Sequence, residues 1–184
     1  MVKKRPPHDL DLLDALEALP TAAFSGDIWR IVRQGRDPLQ GYPSAGRWDP
    51  GRFDVLYTAL ARKGALAEVY FHLSRQPVFP SKLNSILHRI TVTTRPTLRL
   101  ADMAALAALG VDIGTYAGLD YTRPQTIADA AAFLGFDGII APSARWDGSN
   151  LILFLDRFGP GDLMVAEQEP VDWTAWRATV TRPS

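Results

Sequence analysis

The sequence predicts a single mixed α+β domain, on three observations. Short β-forming runs and short helical stretches follow one another without the regular strand–helix–strand alternation of a parallel sheet. Of 184 residues, 47% are hydrophobic and 22% are charged, a composition that suits one sizeable core. No internal repeat, low-complexity block or linker divides the chain.

The elements follow in order. From Asp9 to Leu19, Leu12, Leu13, Leu16 and Leu19 recur at helical spacing, with acidic residues near the start, where they complement the helix dipole. "DIWRIVRQG" is a strand, rich in β-branched and aromatic residues and ended by Gly35. Residues 35 to 52, dense in glycine and proline, form a long loop of the kind that is usually functional or disordered. "RFDVLYTAL" gives a short strand, and "RKGALAEVYFHLSR" a helix with Leu66, Val69, Tyr70 and Leu73 on one face. "LNSILHRITVTTRPTLRL" gives one or two strands, with Pro96 at an edge or a break. A small helix at Ala101 to Leu109 precedes the turn-rich "GVDIGTYAGLDYTR". "PQTIADAAAFLGF" then has proline at a helix start and Gly135 near its end. "DGIIAPS", "SNLILFLD" and "DLMVAEQEP" are three further strands, followed by a short tryptophan-bearing segment at Asp172 to Arg177.

Composition narrows the function. Twenty basic and twenty acidic residues cancel, so no whole-molecule field favours a nucleic acid or an anionic membrane. The absence of cysteine excludes a thiolate metal site, a disulfide framework and a cysteine nucleophile. Acidic residues interrupt the apolar stretch that follows the basic N-terminus, so it does not read as a signal peptide. No run reaches the roughly 20 apolar residues of a membrane span. A cytoplasmic protein is expected, without direct nucleic-acid or membrane contact.

Several residues are candidates for chemistry. Arg47, in the turn "AGRWDPG", is placed to meet a phosphate with its planar fork, or else is a surface arginine beside a turn. Arg30 sits among apolar strand residues, on a ligand-binding or a solvated face. Tyr57 ends "DVLY", where a ring caps a core or stacks on a ligand. Glu68 shares a stripe of its helix with Ala65 and His72; those small neighbours leave room for a ligand or let the helix approach a sheet. The histidines lack the spacing of a metal site, and no metal is expected. In "APSARWDGSN", Asp147-Gly148 signals a turn that accounts for Ser149 and Asn150, and less well for Ser143. Neither a GxSxG elbow nor a glycine-rich phosphate loop is present.

The blocks "WRIVR", "GRWDPG", "VLYTALARKGALAEV" and "GFDGIIAPSARWDGSNLILF", in that order and spanning about two-thirds of the chain, resemble the RES domain, a bacterial toxin family named for its arginine, glutamate and serine. The resemblance implies an ADP-ribosyltransferase-like fold with a mixed, mostly antiparallel, split β-sheet core and flanking short helices. It implies residues 26–184 as the domain and 1–25 as an N-terminal helical extension. It also implies a growth-inhibiting toxin that cleaves the nicotinamide–ribose bond of NAD, handing ADP-ribose to a cellular protein, water or phosphate. An Xre-type helix-turn-helix antitoxin is the implied partner, in a hetero-oligomeric complex. The catalytic set carried over is Glu68, Arg47, Tyr57 and Ser143, with Ser149 competing for the serine position. The NAD-contacting set is Arg30, Arg47, Trp48, Tyr57, Ser149 and Asn150. Asp49 stands where the family commonly has asparagine. A non-catalytic module that binds a nucleotide or an acidic partner segment is the competing function.

Overall fold

The computed structural model describes residues 7–80 and 82–180. The first six residues of the expected N-terminal extension and the last four of the expected domain lie outside the described residues. In chain order the elements are α1 (Leu10–Glu17), β1 (Thr21–Ala22), β2 (Ser25–Arg33), β3 (Val55–Ala59), α2 (Arg62–Ser74), β4 (Ser85–Thr93) and β5 (Thr97–Arg99). They continue with α3 (Met103–Ala108), α4 (Thr122–Phe133), β6 (Gly138–Pro142), β7 (Ser149–Phe154), a 3₁₀ turn (Leu155–Arg157), β8 (Leu163–Pro170) and α5 (Trp173–Val180).

The α+β expectation is met by an eight-stranded sheet in the order β1-β5-β6-β7-β3-β2-β4-β8. Every neighbouring pair is antiparallel except β5 and β6. The sheet is nearly split in its middle. β2 pairs with β4 over nine residues and β3 with β7 over five, yet β2 and β3 share one registered pair, Trp29 with Ala59. Beyond that pair the two strands no longer run as a ladder, and their polar backbone groups must be satisfied in other ways.

Alternation along the strands divides the core between the two faces of the sheet. On β7, Ile152 and Phe154 join a cluster with Leu12 and Leu16 of α1, Leu106 of α3 and Ile127, Ala128 and Ala131 of α4, whereas Leu151 and Leu153 join Ile28, Leu56, Ile90 and Val92. The N-terminal helix is therefore part of the main core, with Leu12 and Leu16 buried and Leu13 and Leu19 packed against them.

Local sequence explains the ends of these helices. Asp9 and Asp102 cap α1 and α3 by accepting from the backbone N–H of Asp11 and Ala105. Gly110 and Gly135 follow the caps of α3 and α4 with φ of 80° and 89°, the left-handed conformation that closes a helix. Pro96 lies in the break between β4 and β5.

Candidate active site

A cavity of about 410 Å³ opens where β2 and β3 diverge. Its wall includes Arg30 of β2, Val55, Tyr57, Thr58 and Ala59 of β3, Ala65, Glu68 and His72 of α2, and residues of three loops. This volume lies in the range of small-molecule sites.

Glu68 is held from one side. Its Oε1 accepts from Ser143 Oγ at 2.7 Å and from Asn150 Nδ2 at 2.8 Å. Its Oε2 has no hydrogen-bond partner among the described residues and is not a buried orphan, so one oxygen fixes the carboxylate and the other stays available. The two donors come from either side of the loop of the β6–β7 hairpin, whose six residues are closed by Ser143 N–H donating to the Gly148 carbonyl at 2.8 Å. The hairpin thus carries both donors to α2 as one unit.

Arg30 stands in for the missing strand pairing. Its Nη1 donates to the Tyr57 carbonyl at 3.0 Å and its Nη2 to the Gln40 carbonyl at 3.3 Å, while Nε is buried without a partner. Burial lowers the pKa of this guanidinium, partly countered by Tyr42 and Asp37.

The loop from Gly41 to Gly51 is built around one carboxylate. Asp49 is fully buried; its Oδ2 accepts from the N–H and hydroxyl of Ser44 and from the N–H of Ala45, and its Oδ1 from the N–H of Gly51 at 2.6 Å. Every one of these partners is a donor, so the oxygens of a carboxylate suit the position. Gln125 fastens the loop to α4 through the carbonyls of Ala45 and Gly46. Gly46 is required by space: a Cβ there would lie 2.7 Å from the Tyr57 hydroxyl oxygen. That oxygen accepts from the Trp48 N–H at 2.8 Å, and burial drives the Tyr57 pKa upward.

Arg47 leaves this loop to lie between two rings, its Cζ 4.6 Å from the centroid of Tyr116 and 4.7 Å from that of Tyr121. Its Nη2 donates to the Gly118 carbonyl at 3.2 Å, and Nη1 is buried without an acceptor.

The expected residues converge unevenly. Glu68, Arg47, Arg30, Tyr57 and Asn150 line the cavity. Ser143 is buried behind Glu68 and reaches it through the hydroxyl. Ser149 is not in the cavity wall; it is opposite Pro142 in the β6–β7 ladder, and its carbonyl accepts from Leu60 N–H. Ser143, and not Ser149, is therefore the serine hydrogen-bonded to Glu68. Trp48 borders the cavity, but its indole is 2% exposed and packs in the main core, so it offers no free ring for stacking. Tyr116, Tyr121 and Arg145 also line the cavity, as does His72, which shares the Glu68 stripe of its helix. The sequence offers two signals for them, the turn-rich character of the loop after α3 for the tyrosines and the motif "PSAR" for Arg145. Among the described residues, no three of His, Asp and Glu gather as a metal would need.

A family profile described as the RES domain matches residues 27–175. The chain belongs to the RES domain family. Within that family it is 28% identical over 173 residues to NAD(+) phosphorylase MbcT of Mycobacterium tuberculosis, an alignment covering 90% of this chain and 92% of the relative. The MbcT of Mycobacterium bovis matches to the same extent. The RES domain also superimposes on a chain in the crystal structure of the M. tuberculosis MbcT–MbcA toxin–antitoxin complex, with a TM-score of 0.81 and 26% identity, covering 92% of this chain and 97% of that one. The fold expectation is supported by that match as well as by the sheet itself.

Proposed function

We propose that this chain is the toxin of a bacterial toxin–antitoxin pair and that it cleaves the nicotinamide–ribose bond of NAD, with inorganic phosphate as the acceptor. The observation that carries this reading is the Glu68 carboxylate, fixed by Ser143 and Asn150 through one oxygen in a cavity that also holds the Arg30, Arg47 and Arg145 guanidiniums. The name of the MbcT relatives points to phosphate rather than a protein side chain as the acceptor.

NAD carries a diphosphate, a ribose and a cationic nicotinamide, and these residues match each part. The guanidiniums attract the diphosphate. The ring of Tyr57, protonated and anchored through its oxygen, offers a rigid face to the nicotinamide end. Glu68 Oε2 accepts from a ribose hydroxyl and opposes the positive charge that develops on the sugar as its C1′–N bond breaks. Nicotinamide leaves with that electron pair, and an oxygen of phosphate forms the new bond to C1′, giving the 1-phosphate of ADP-ribose. Ser143 acts through Glu68 and is a positioning residue. No metal is needed for this chemistry.

The partner in this reading is an Xre-type helix-turn-helix antitoxin in a hetero-oligomeric complex, by analogy with the toxin–antitoxin complex of the structural relative. Residues 26–184 form the RES unit, and α1 of the 1–25 extension completes its core. Its place is the cytoplasm, where NAD is abundant; no helix among the described residues is long and apolar enough to cross a membrane.

The experiment is incubation with NAD labelled separately in nicotinamide and in adenine, with and without phosphate and with and without cell lysate. Expected are free nicotinamide and an adenine-labelled sugar phosphate that forms only when phosphate is present. Adenine label fixed to a protein band would replace the acceptor in this reading, and intact NAD would leave a non-catalytic binding module.

A further inference from the structure

Arg145, on the β6–β7 turn, shares a wall of the cavity with Arg47. Its Nη1 donates to the Ala117 carbonyl at 2.5 Å, while Arg47 Nη2 donates to the Gly118 carbonyl, so the two guanidiniums hang from consecutive carbonyls of one loop. Each is also held by aromatic faces: Arg145 Cζ lies 3.4 Å from the centroid of Phe71, and Arg47 lies between Tyr116 and Tyr121. Neither has a carboxylate at ion-pairing distance among the described residues.

This is an unusual way to hold two cations. Carbonyls and ring faces orient a guanidinium without neutralising it, and like charges brought together repel. The repulsion is felt: after burial, the charge of Arg47 is the largest influence that lowers the Arg145 pKa. Arg47 Nη1 remains a buried donor with no acceptor. A dianion resolves all three features, since it neutralises both cations and accepts from the idle donor. Arg30 is placed differently, with both terminal nitrogens committed to the carbonyls of Tyr57 and Gln40.

We infer that Arg47 and Arg145 form one phosphate-binding subsite, a two-guanidinium clamp supported by the Ala117–Gly118 carbonyls and the rings of Phe71, Tyr116 and Tyr121. Its ligand is a phosphate dianion or a diphosphate. On the NAD reading above, on which this assignment of source rests, the phosphate belongs either to the diphosphate of NAD or to the free phosphate acceptor. Glu68 lines the same cavity as Arg47 and Arg145, so either source is held in the cavity that contains the reacting carboxylate.

Inorganic pyrophosphate and orthophosphate are titrated calorimetrically into the wild type, R145Q and R145K, with thermal melts to confirm folding. The wild type should bind at least one of them. R145Q should weaken that binding by about tenfold or more, and R145K, which keeps the charge but loses the planar fork, should fall between. Steady-state kinetics separates the sources: a raised KM for NAD alone assigns the clamp to the diphosphate, a raised KM for phosphate alone to the acceptor, and a rise in both to both. Anion binding that is undetectable in the wild type, or equal within twofold in folded R145Q, overturns the clamp. Anion binding by a wild type that leaves NAD intact keeps the clamp and removes the NAD reading.

Discussion

Ser143 Oγ donates to Glu68 Oε1 at 2.7 Å while accepting from the backbone N–H groups of Arg145 and Trp146, both at 3.1 Å. A hydroxyl has one proton and two lone pairs, and here all three are used. The turn supplies both donors to the oxygen, which leaves the proton no direction but the carboxylate. Ser143 is thus an oriented donor that sets the Glu68 rotamer, supported across the same oxygen by Asn150.

Ser143→Ala should lower kcat about tenfold with KM for NAD within about twofold, because the carboxylate keeps its charge but loses one of the two bonds that fix it. A purely structural serine would instead reduce the amount of folded protein and leave the turnover of the remainder intact. Nicotinamide release, normalised to folded protein, separates the two.

Glu68→Gln tests the charge. The amide oxygen can still accept from Ser143 and Asn150, so the side chain should keep its place while its negative charge is lost. We expect kcat to fall by about a hundredfold to a thousandfold and the calorimetric affinity for NAD to change by less than about threefold. Unchanged NAD consumption would remove Glu68 from the chemistry.

Tyr57→Phe removes the acceptor of the N–H of Trp48, a residue that is 2% exposed. An unsatisfied buried amide costs about 1–3 kcal/mol, which for a chain of this size corresponds to a melting-point loss of roughly 2–12 °C. Gly46→Ala should destabilise the same contact from the other side, since its Cβ would press on the Tyr57 hydroxyl. If differential scanning calorimetry gives Y57F the wild-type melting point, this hydrogen bond does not hold the loop.

What was legible in the sequence was local. The helical spacing around Glu68, the Asp147-Gly148 turn and the glycine closing α4 depend on neighbouring residues, and the structure has them in place. The split between β2 and β3 is a matter of strand register, which no short stretch encodes. Ser143 and Ser149 are alike in type and lie at the two ends of one hairpin loop; only the packing of that hairpin on α2 separates them. The burial of Trp48 depends on the Tyr57 hydroxyl and the Asp49 carboxylate, which shape its loop from a distance that the short turn does not encode. Tyr116, Tyr121 and Arg145 gain their meaning from contacts with Arg47 and Phe71, far away in the chain.

The last prediction concerns His88, near the middle of β4. It lies on β4 opposite Arg30 of β2 and Gln168 of β8, and it is 4% exposed, with Nδ1 buried and unpartnered. Burial lowers its pKa below the usual histidine value of 6.5, and the positive charge of Arg30 acts in the same direction, outweighing hydrogen bonds that favour the protonated form. The unfolded chain therefore takes up a proton near pH 6.5 that the folded chain refuses. Stability from this site is complete above the unfolded pKa and is lost as pH falls through 6.5 toward the folded pKa. His72, at the cavity edge, has the same direction of shift and adds to the loss from a more exposed position. Urea unfolding between pH 8 and pH 5 should give a free energy that is level at first and declines below about 6.5. In His88→Gln, which cannot titrate, the decline should be clearly shallower; a slope equal to the wild type would place the proton uptake elsewhere in the chain.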